Sequence, residues 1–557
     1  VLAPRGAGPA VLAKLAKDKI EVALRRLVDA SDDVHVGILT KNPNSDQTEA
    51  PLAVVCQFAR AVSDAILADC HRLAWNFVRA PLLVTVEPHQ VRTWTCCERP
   101  AVDGGLWSGG AEIEGARLDL SDELSPSEQA AHALHWVRLA SGDFFRQFPD
   151  RFRRDGRADR VLLEELTAVR KRLKNQGLED DRIHDLLARI VFSQFLFDRK
   201  DSEGRPAINP ALLLRLHKDG HLAKEHGELS SILADYDEAY RFFRWLNDKF
   251  NGDLFPGKGG TVEEREADWQ KEMRRVKPKH LGTLAEFVSG RLRGRQKTFW
   301  RQYAFDVIPL EFVSSIYEEF VTAKGAHYTP GYLVDFMLDE VLPWGGDKWD
   351  VKILDPACGS GIFLVKAYQR LIQRWKNAHP GRKLSTRVLK NLLERNLFGV
   401  DIDRHAVRVA SFSLYLTMCD ELDPKAYLKS TKFPLLRDRR LVQADFFLED
   451  VRGFSTAKDG PTYDLVIGNA PWGVGTETKP AVRWATDSEH PWPIANKQVG
   501  TLFLAKAATL TKPDGRVSMI QPAGSLLFNR SGPANRFREK LFSQFKVEEV
   551  VNLSTLR

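Results

Sequence analysis

The rhythm of hydrophobic and polar positions changes twice along this chain. Up to about residue 100 it is mixed. KIEVALRRLVDA repeats apolar residues at three and four, as an amphipathic helix does. LAVVCQFARAVSDAILADCHRLAWN joins a short apolar run to helical spacing. PLLVTVEPHQVRTWTCCE reads as two short strands around a turn at Pro88. A glycine-rich break over 103–110 follows. From 125 to 320 the spacing is mostly helical. SPSEQAAHALHWV opens it, with Ser125 or Ser127 as cap and Glu128 in the first turn. VLLEELTAVRKRL, IHDLLARIVFSQFLF and VIPLEFVSSIYEEF continue it. After residue 325 short buried strands (VKILDP, LFGVDI, LVQADF, YDLVIGN, GRVSMIQP) alternate with helices. That alternation predicts an α/β domain around a parallel, doubly wound sheet. Ligands bind such sheets at the carboxyl ends of the strands. The predicted organisation is a small α/β domain over 1–110, a helical domain over 125–320 and the α/β domain over 321–557.

Composition narrows the class. The 557 residues carry 81 Lys+Arg against 74 Asp+Glu, a net charge of +7, which suits a nucleic-acid partner without requiring one. With 43% hydrophobic and 28% charged residues, global disorder is excluded. Six cysteines in so long a chain do not make a disulfide-stapled scaffold. No apolar stretch approaches the length of a membrane span, and VLAPRGAGPAVLAKLAKDK holds no signal-peptide core. A cytoplasmic protein without membrane contact is expected.

The candidate chemistry lies at the ends of the predicted strands. In LDPACGSGIFL (354–364) an apolar strand ends in Asp355, and Ala357, Gly359 and Gly361 form a small-residue loop into a helix. The glycines let the backbone turn sharply and approach a ligand, while Asp355 can accept hydrogen bonds from a cationic group. GVDID puts Asp401 at a second strand end, where a carboxylate can hold both ribose hydroxyls. QADFF puts Asp445 at a third, able to accept from an adenine amino group, with Phe446 expected to pack on the ring.

These strings, with DLVIGNAPWG (464–473) and GAHYTP (325–330), resemble the gamma-class DNA adenine-N6 methyltransferases. The resemblance covers about residues 320–557. It points to the large type IIG, BREX-like and DISARM-like enzymes of restriction-modification and phage defence. It implies a Rossmann-like S-adenosylmethionine-dependent methyltransferase domain with a mixed, mainly parallel sheet. Tyr328, Thr329 and Pro330 would close over the methionine end of the cofactor. The family's catalytic motif is Asn-Pro-Pro-aromatic, here Asn469, Ala470, Pro471 and Trp472. An exocyclic base amine is a poor nucleophile because its lone pair is delocalised into the ring. Two acceptors, the Asn469 side chain and the carbonyl of residue 470, favour a tetrahedral nitrogen and stabilise its developing charge. Trp472 would stack on a base swung out of the duplex. Alanine at 470 keeps that carbonyl but not proline's fixed φ. Asparagine at 469 favours adenine-N6 over cytosine-N4. Double-stranded DNA and further subunits of a defence or restriction system are the implied partners, and the transfer step needs no metal.

Other signals count for less. GDLFPGKGG lacks the Ser/Thr of a phosphate loop, and Cys96-Cys97 with His89 lacks zinc spacing. The N-terminal segment is nuclease-like at most in a degenerate form, since LAVVCQFAR lacks the Glu and Lys such a strand needs. RLRGRQKTFWRQY reads equally as a solvated basic helix or as a phosphate track with Trp300 stacking on a base. The polar stretch 473–493 reads as a DNA-facing loop or one that orders on binding. VEEVVNLSTLR reads as a sixth strand. No seventh strand or target-recognition domain is read after it, so the chain is expected to be incomplete there or to draw the missing parts from elsewhere. Two rival functions stay open: a weakened methyltransferase-shaped subunit that senses DNA, and a methyltransferase acting on an RNA or protein amine.

Overall fold

The computed structural model describes residues 20–21, 24, 34–40, 51–100, 110–119, 134–201, 203–250, 254–258, 261–292, 296–297, 300–308, 329–473, 475–487 and 491–553. Tyr328, the caps at Ser125 and Ser127, and most of the helices read from KIEVALRRLVDA and VIPLEFVSSIYEEF lie outside them. The chain forms two compact units, Val1–Phe312 with Asp423–Lys432, and Val313–Leu422 with Phe433–Arg557. No helix among the described residues is long and apolar enough to cross a membrane.

The first unit contains a five-stranded sheet in sequence order: β1 (Val34–Thr40), β2 (Pro51–Phe58), β3 (Leu82–Val86), β4 (Gln90–Thr95) and β5 (Leu118–Asp119). β2 and β3 run parallel across α1 (Asp64–Phe77), and the other neighbours are antiparallel. Helices follow, among them α2 (Ala158–Asn175) and α3 (Asp180–Asp198). The described residues of 1–110 and those of 134–308, expected as separate domains, fall here in one unit. The reason lies on α1. Trp75 Nε1 donates to Gly156 O (2.7 Å) and its ring stacks on Tyr303, while Asn76 donates to Gln302 O (2.8 Å) and accepts from Ala304 N (3.0 Å). Trp300 corrects another expectation. It is 2% exposed, packs on Phe287 and Phe305, and donates to Gln194 Oε1 (3.1 Å), so its ring is not offered to a base.

The second unit is the parallel α/β layer. Its strands are β6 (Ile353–Asp355), β7 (Leu397–Asp401), β8 (Leu441–Gln443), β9 (Tyr463–Asn469) and β10 (Thr511–Ile520), arranged β8-β7-β6-β9-β10 and all parallel. Ahead of β6 lies α4 (Gly331–Val341). The crossovers carry α5 (Ile362–Ala378), α6 (Thr386–Asn396), α7 (Arg404–Asp420), α8 (Lys479–Asp487) and α9 (Gly500–Leu510), and α10 (Gly532–Gln544) follows. Strand order reverses at β6, which places the ligand crevice at the carboxyl ends of β6 and its neighbours. β7 is buried almost throughout, as central parallel strands are, and LFGVD accordingly shows no alternation.

Two expectations are corrected in this unit. The stretch 473–493 is not a plain loop. It contains α8, whose Ala481, Trp484 and Ala485 sit in the core with Trp492. Residues 547–553 form no strand, and Val547, Val550 and Val551 are exposed. A β-prone string without a pairing edge does not make a strand on its own.

Candidate active site

The loop after β6 is built on close approach. Gly359 (φ 51°) and Gly361 (φ 86°) both hold left-handed backbone that side chains avoid. Gly361 caps α5, and a Cβ there would lie 2.9 Å from the Ala410 Cβ of α7, so this glycine lets the two helices meet. Asp355 is wholly buried. Its Oδ1 accepts from Ala357 N (3.2 Å) and faces β9, where a Cβ on Gly468 would come within 2.6 Å of it. The Asp355 carboxylate thus braces the first turn of the loop.

Asp401 is half-buried at the end of β7. Its Oδ2 accepts from Gly359 N (2.9 Å) and its Oδ1 from Asp403 N (2.8 Å). Burial pushes its carboxyl above the ordinary range, and these two backbone donors pull it back. Two donors leave lone pairs over for a diol. The same contact latches the glycine loop to β7, as does Cys358 N donating to Val400 O (2.9 Å). Asp445, half-buried after β8, turns the chain by accepting from Phe447 N (2.9 Å). Phe446 points the other way. It is 2% exposed, stacked on Phe503 at 5.1 Å, with the Lys506 ammonium 4.9 Å from its ring. Its ring is packed within the core of the unit.

Asn469 ends β9. Its Nδ2 donates to Thr329 Oγ1 (3.1 Å), and its Oδ1 accepts from Trp472 Nε1 (3.2 Å). An indole N–H can only donate, so the amide oxygen must face Trp472 and the amide nitrogen Thr329. Trp472 is 38% exposed, Pro471 is exposed, and Ala470 is buried with its methyl in the core. Thr329 is buried and Pro330 is the residue that caps α4, so the Thr329 hydroxyl serves Asn469 and not the helix. A charge network ties α4 down to α5. Lys366 Nζ donates to Asp335 Oδ2 (2.6 Å), and buried Arg370 pairs with Asp339 (2.7 Å) and lies over Trp344.

Of the residues singled out in the sequence, Asp401 and Asn469 stand at strand ends, Asp445 just after one, and the two loop glycines hold left-handed backbone. Sequence reasoning missed the Thr329–Asn469 bond, the Gly468–Asp355 approach, and Lys506. The last had a signal: one charge inside the apolar helix GTLFLAKAATL. The paired spacing Asp335/Asp339 and Lys366/Arg370, four residues apart on adjacent helices, was another. Among the described residues no group of three His, Cys, Asp or Glu could hold a metal ion.

The residues present suit S-adenosylmethionine. Successive strand ends offer glycine backbone at β6, a carboxylate for a diol at β7 and a carboxylate for an amine at β8. Comparison with known proteins agrees. Residues 395–557 match the Eco57I restriction-modification methylase family. The chain is 30% identical over 115 residues to the adenine-specific methyltransferase PglX of Lacticaseibacillus casei (strain Zhang), covering 21% of this chain and 9% of that protein. It is 37% identical over 84 residues to the adenine-specific methyltransferase BrxX of Escherichia coli O9:H4 (strain HS), covering 15% and 7%. Against the type II methyltransferase M.PaeR7I of Pseudomonas aeruginosa the identity is 30% over 228 residues, covering 40% and 36%. The chain thus spans only a small part of the first two relatives' length and about a third of the last. Over residues 395–557, most of its second unit, the chain is thus similar to restriction-modification methylases.

Proposed function

We propose that this chain methylates the N6 amine of adenine in double-stranded DNA, as part of a restriction-modification or phage-defence system with further subunits. The observation that carries the reading is the fixed Asn469 amide, turned by Thr329 and Trp472 so that its oxygen faces the exposed indole. A base stacked on Trp472 would bring its amine to that oxygen and to the Ala470 carbonyl. The Asn469 amide is set in advance, so it stabilises charge on the amine without reorganising. S-adenosylmethionine, when bound, supplies an electrophilic methyl group. The loop at Gly359 and Gly361 would take its amino-acid end, Asp401 its ribose and Asp445 its adenine amine. Thr329 orients Asn469, and Asp355 holds the loop from beneath. The relatives support the choice of target, being named adenine-specific.

The test is base-modification sequencing of DNA from cells with and without the gene. N6-methyladenine at a defined sequence only when the gene is present is the expected result. No gene-dependent mark, with all neighbouring genes of the system present, would overturn the reading.

A further inference from the structure

α9 is apolar apart from Lys506, and that lysine is fully buried. Its ammonium lies 2.6 Å from Phe446 O, 3.5 Å from Leu448 O and 2.6 Å from Glu449 Oε1. The rings of Phe446 and Phe454 stand 4.9 and 5.4 Å away. Burial lowers the lysine's pKa, and the Glu449 carboxylate opposes the shift. Glu449 in turn uses Oε2 to accept from Thr456 N (2.7 Å) and Thr456 Oγ1 (2.9 Å). A lysine that only filled space would be replaced by leucine or methionine, because desolvating an ammonium is costly. Here its two hydrogen bonds and its ion pair all go to one short stretch, 446–449. That stretch begins one residue after Asp445 and closes a turn on it, with Phe447 N on the Asp445 carboxylate and Leu448 N on its carbonyl (3.1 Å). The other end of α9 meets the catalytic turn. A Cβ on Gly500 would lie 3.4 Å from Pro471 O and 3.5 Å from Trp472 Cβ. Six residues of helix, about 9 Å, therefore separate the two anchor points.

We propose that Lys506 is a positioning residue: from α9 it pins the turn that presents Asp445, and so sets the adenine-recognising carboxylate relative to the Asn469 turn. The proposal rests on the reading of Asp445 as the acceptor for the cofactor's adenine amine. Its consequence is specific to that amine. Losing the pin leaves the fold and the ribose contact in place and blurs the distinction between a 6-amino and a 6-oxo purine.

The experiment is calorimetric binding to the full chain of S-adenosylhomocysteine and of its inosine counterpart, in which the 6-amino group is an oxo group. The wild type is expected to prefer the adenosine form by about tenfold or more, the worth of one charge-assisted hydrogen bond. Lys506→Met is expected to bring that ratio towards one while its thermal transition stays cooperative. Lys506→Gln keeps one donor for the loop carbonyls and should fall between, and it serves alone if the methionine variant does not fold. A wild type without preference would sink the Asp445 reading itself. A wild-type preference that persists undiminished in folded Lys506→Met, or in Lys506→Gln if that alone folds, would overturn the role given to Lys506.

Discussion

Replacing Thr329 with valine separates two roles for this residue. The resemblance assigns it to the cofactor's methionine end. The geometry assigns it to Asn469, whose Nδ2 donates to its hydroxyl at 3.1 Å. Valine has nearly the same shape and Thr329 is only 6% exposed, so packing is little disturbed. What goes is one neutral hydrogen bond, with a net worth of about 1 kcal/mol. If that bond acts by holding the amide for the transition state, turnover falls about fivefold. Cofactor affinity should be unchanged, and Thr329→Ser should behave as the wild type. Trp472 still orients the amide in the single variant. Thr329→Val combined with Trp472→Phe should therefore lose more turnover than the product of the single losses, because both partners fix the same group. The assay is single-turnover methyl transfer to duplex DNA beside calorimetric cofactor binding. Unchanged turnover with cofactor affinity weakened tenfold would refute the orienting role and return Thr329 to the cofactor.

Two further outcomes are expected. Gly468→Ala should destabilise the second unit by about 2 kcal/mol through overpacking, since its Cβ would sit 2.6 Å from Asp355 Oδ1; thermal denaturation reads this, and an unchanged midpoint would show that the loop gives way freely. Burial and the neighbouring Asp306 raise the Asp198 carboxyl to about 7, so the folded first unit holds a proton that the unfolded chain releases near pH 4. Stability should then fall as pH rises from about 4 to about 7, and Asp198→Asn should flatten that slope in melting curves.

Much of the site was legible because a parallel α/β layer puts its ligand groups at strand ends, and strand ends can be read from apolar runs. Asp401, Asp445 and Asn469 each close such a run. Direction was harder. In QADFF two aromatics follow one acid, and nothing local says that Phe446 turns into the core beside Lys506. The burial of Asp355 against Gly468, on the next strand in space and more than a hundred residues away in sequence, could not be read locally. Trp300 lies among basic residues that made it look exposed. α8 was missed for a different reason. Its apolar positions 481, 484 and 485 keep helical spacing, but the polar flanks hid so short a pattern.

The central claim is that Asn469 faces the target amine and not the cofactor. Transfer of labelled methyl from S-adenosylmethionine into duplex DNA, with the system's other subunits present, tests it when wild type and Asn469→Ala are run side by side. The account predicts N6-methyladenine from the wild type and a loss on the order of a hundredfold or more in the variant, the scale of removing a preorganised charge-stabilising group. Cofactor affinity in the variant should stay within about twofold, well under the tenfold of a lost strong contact. Wild-type turnover by folded Asn469→Ala would contradict it.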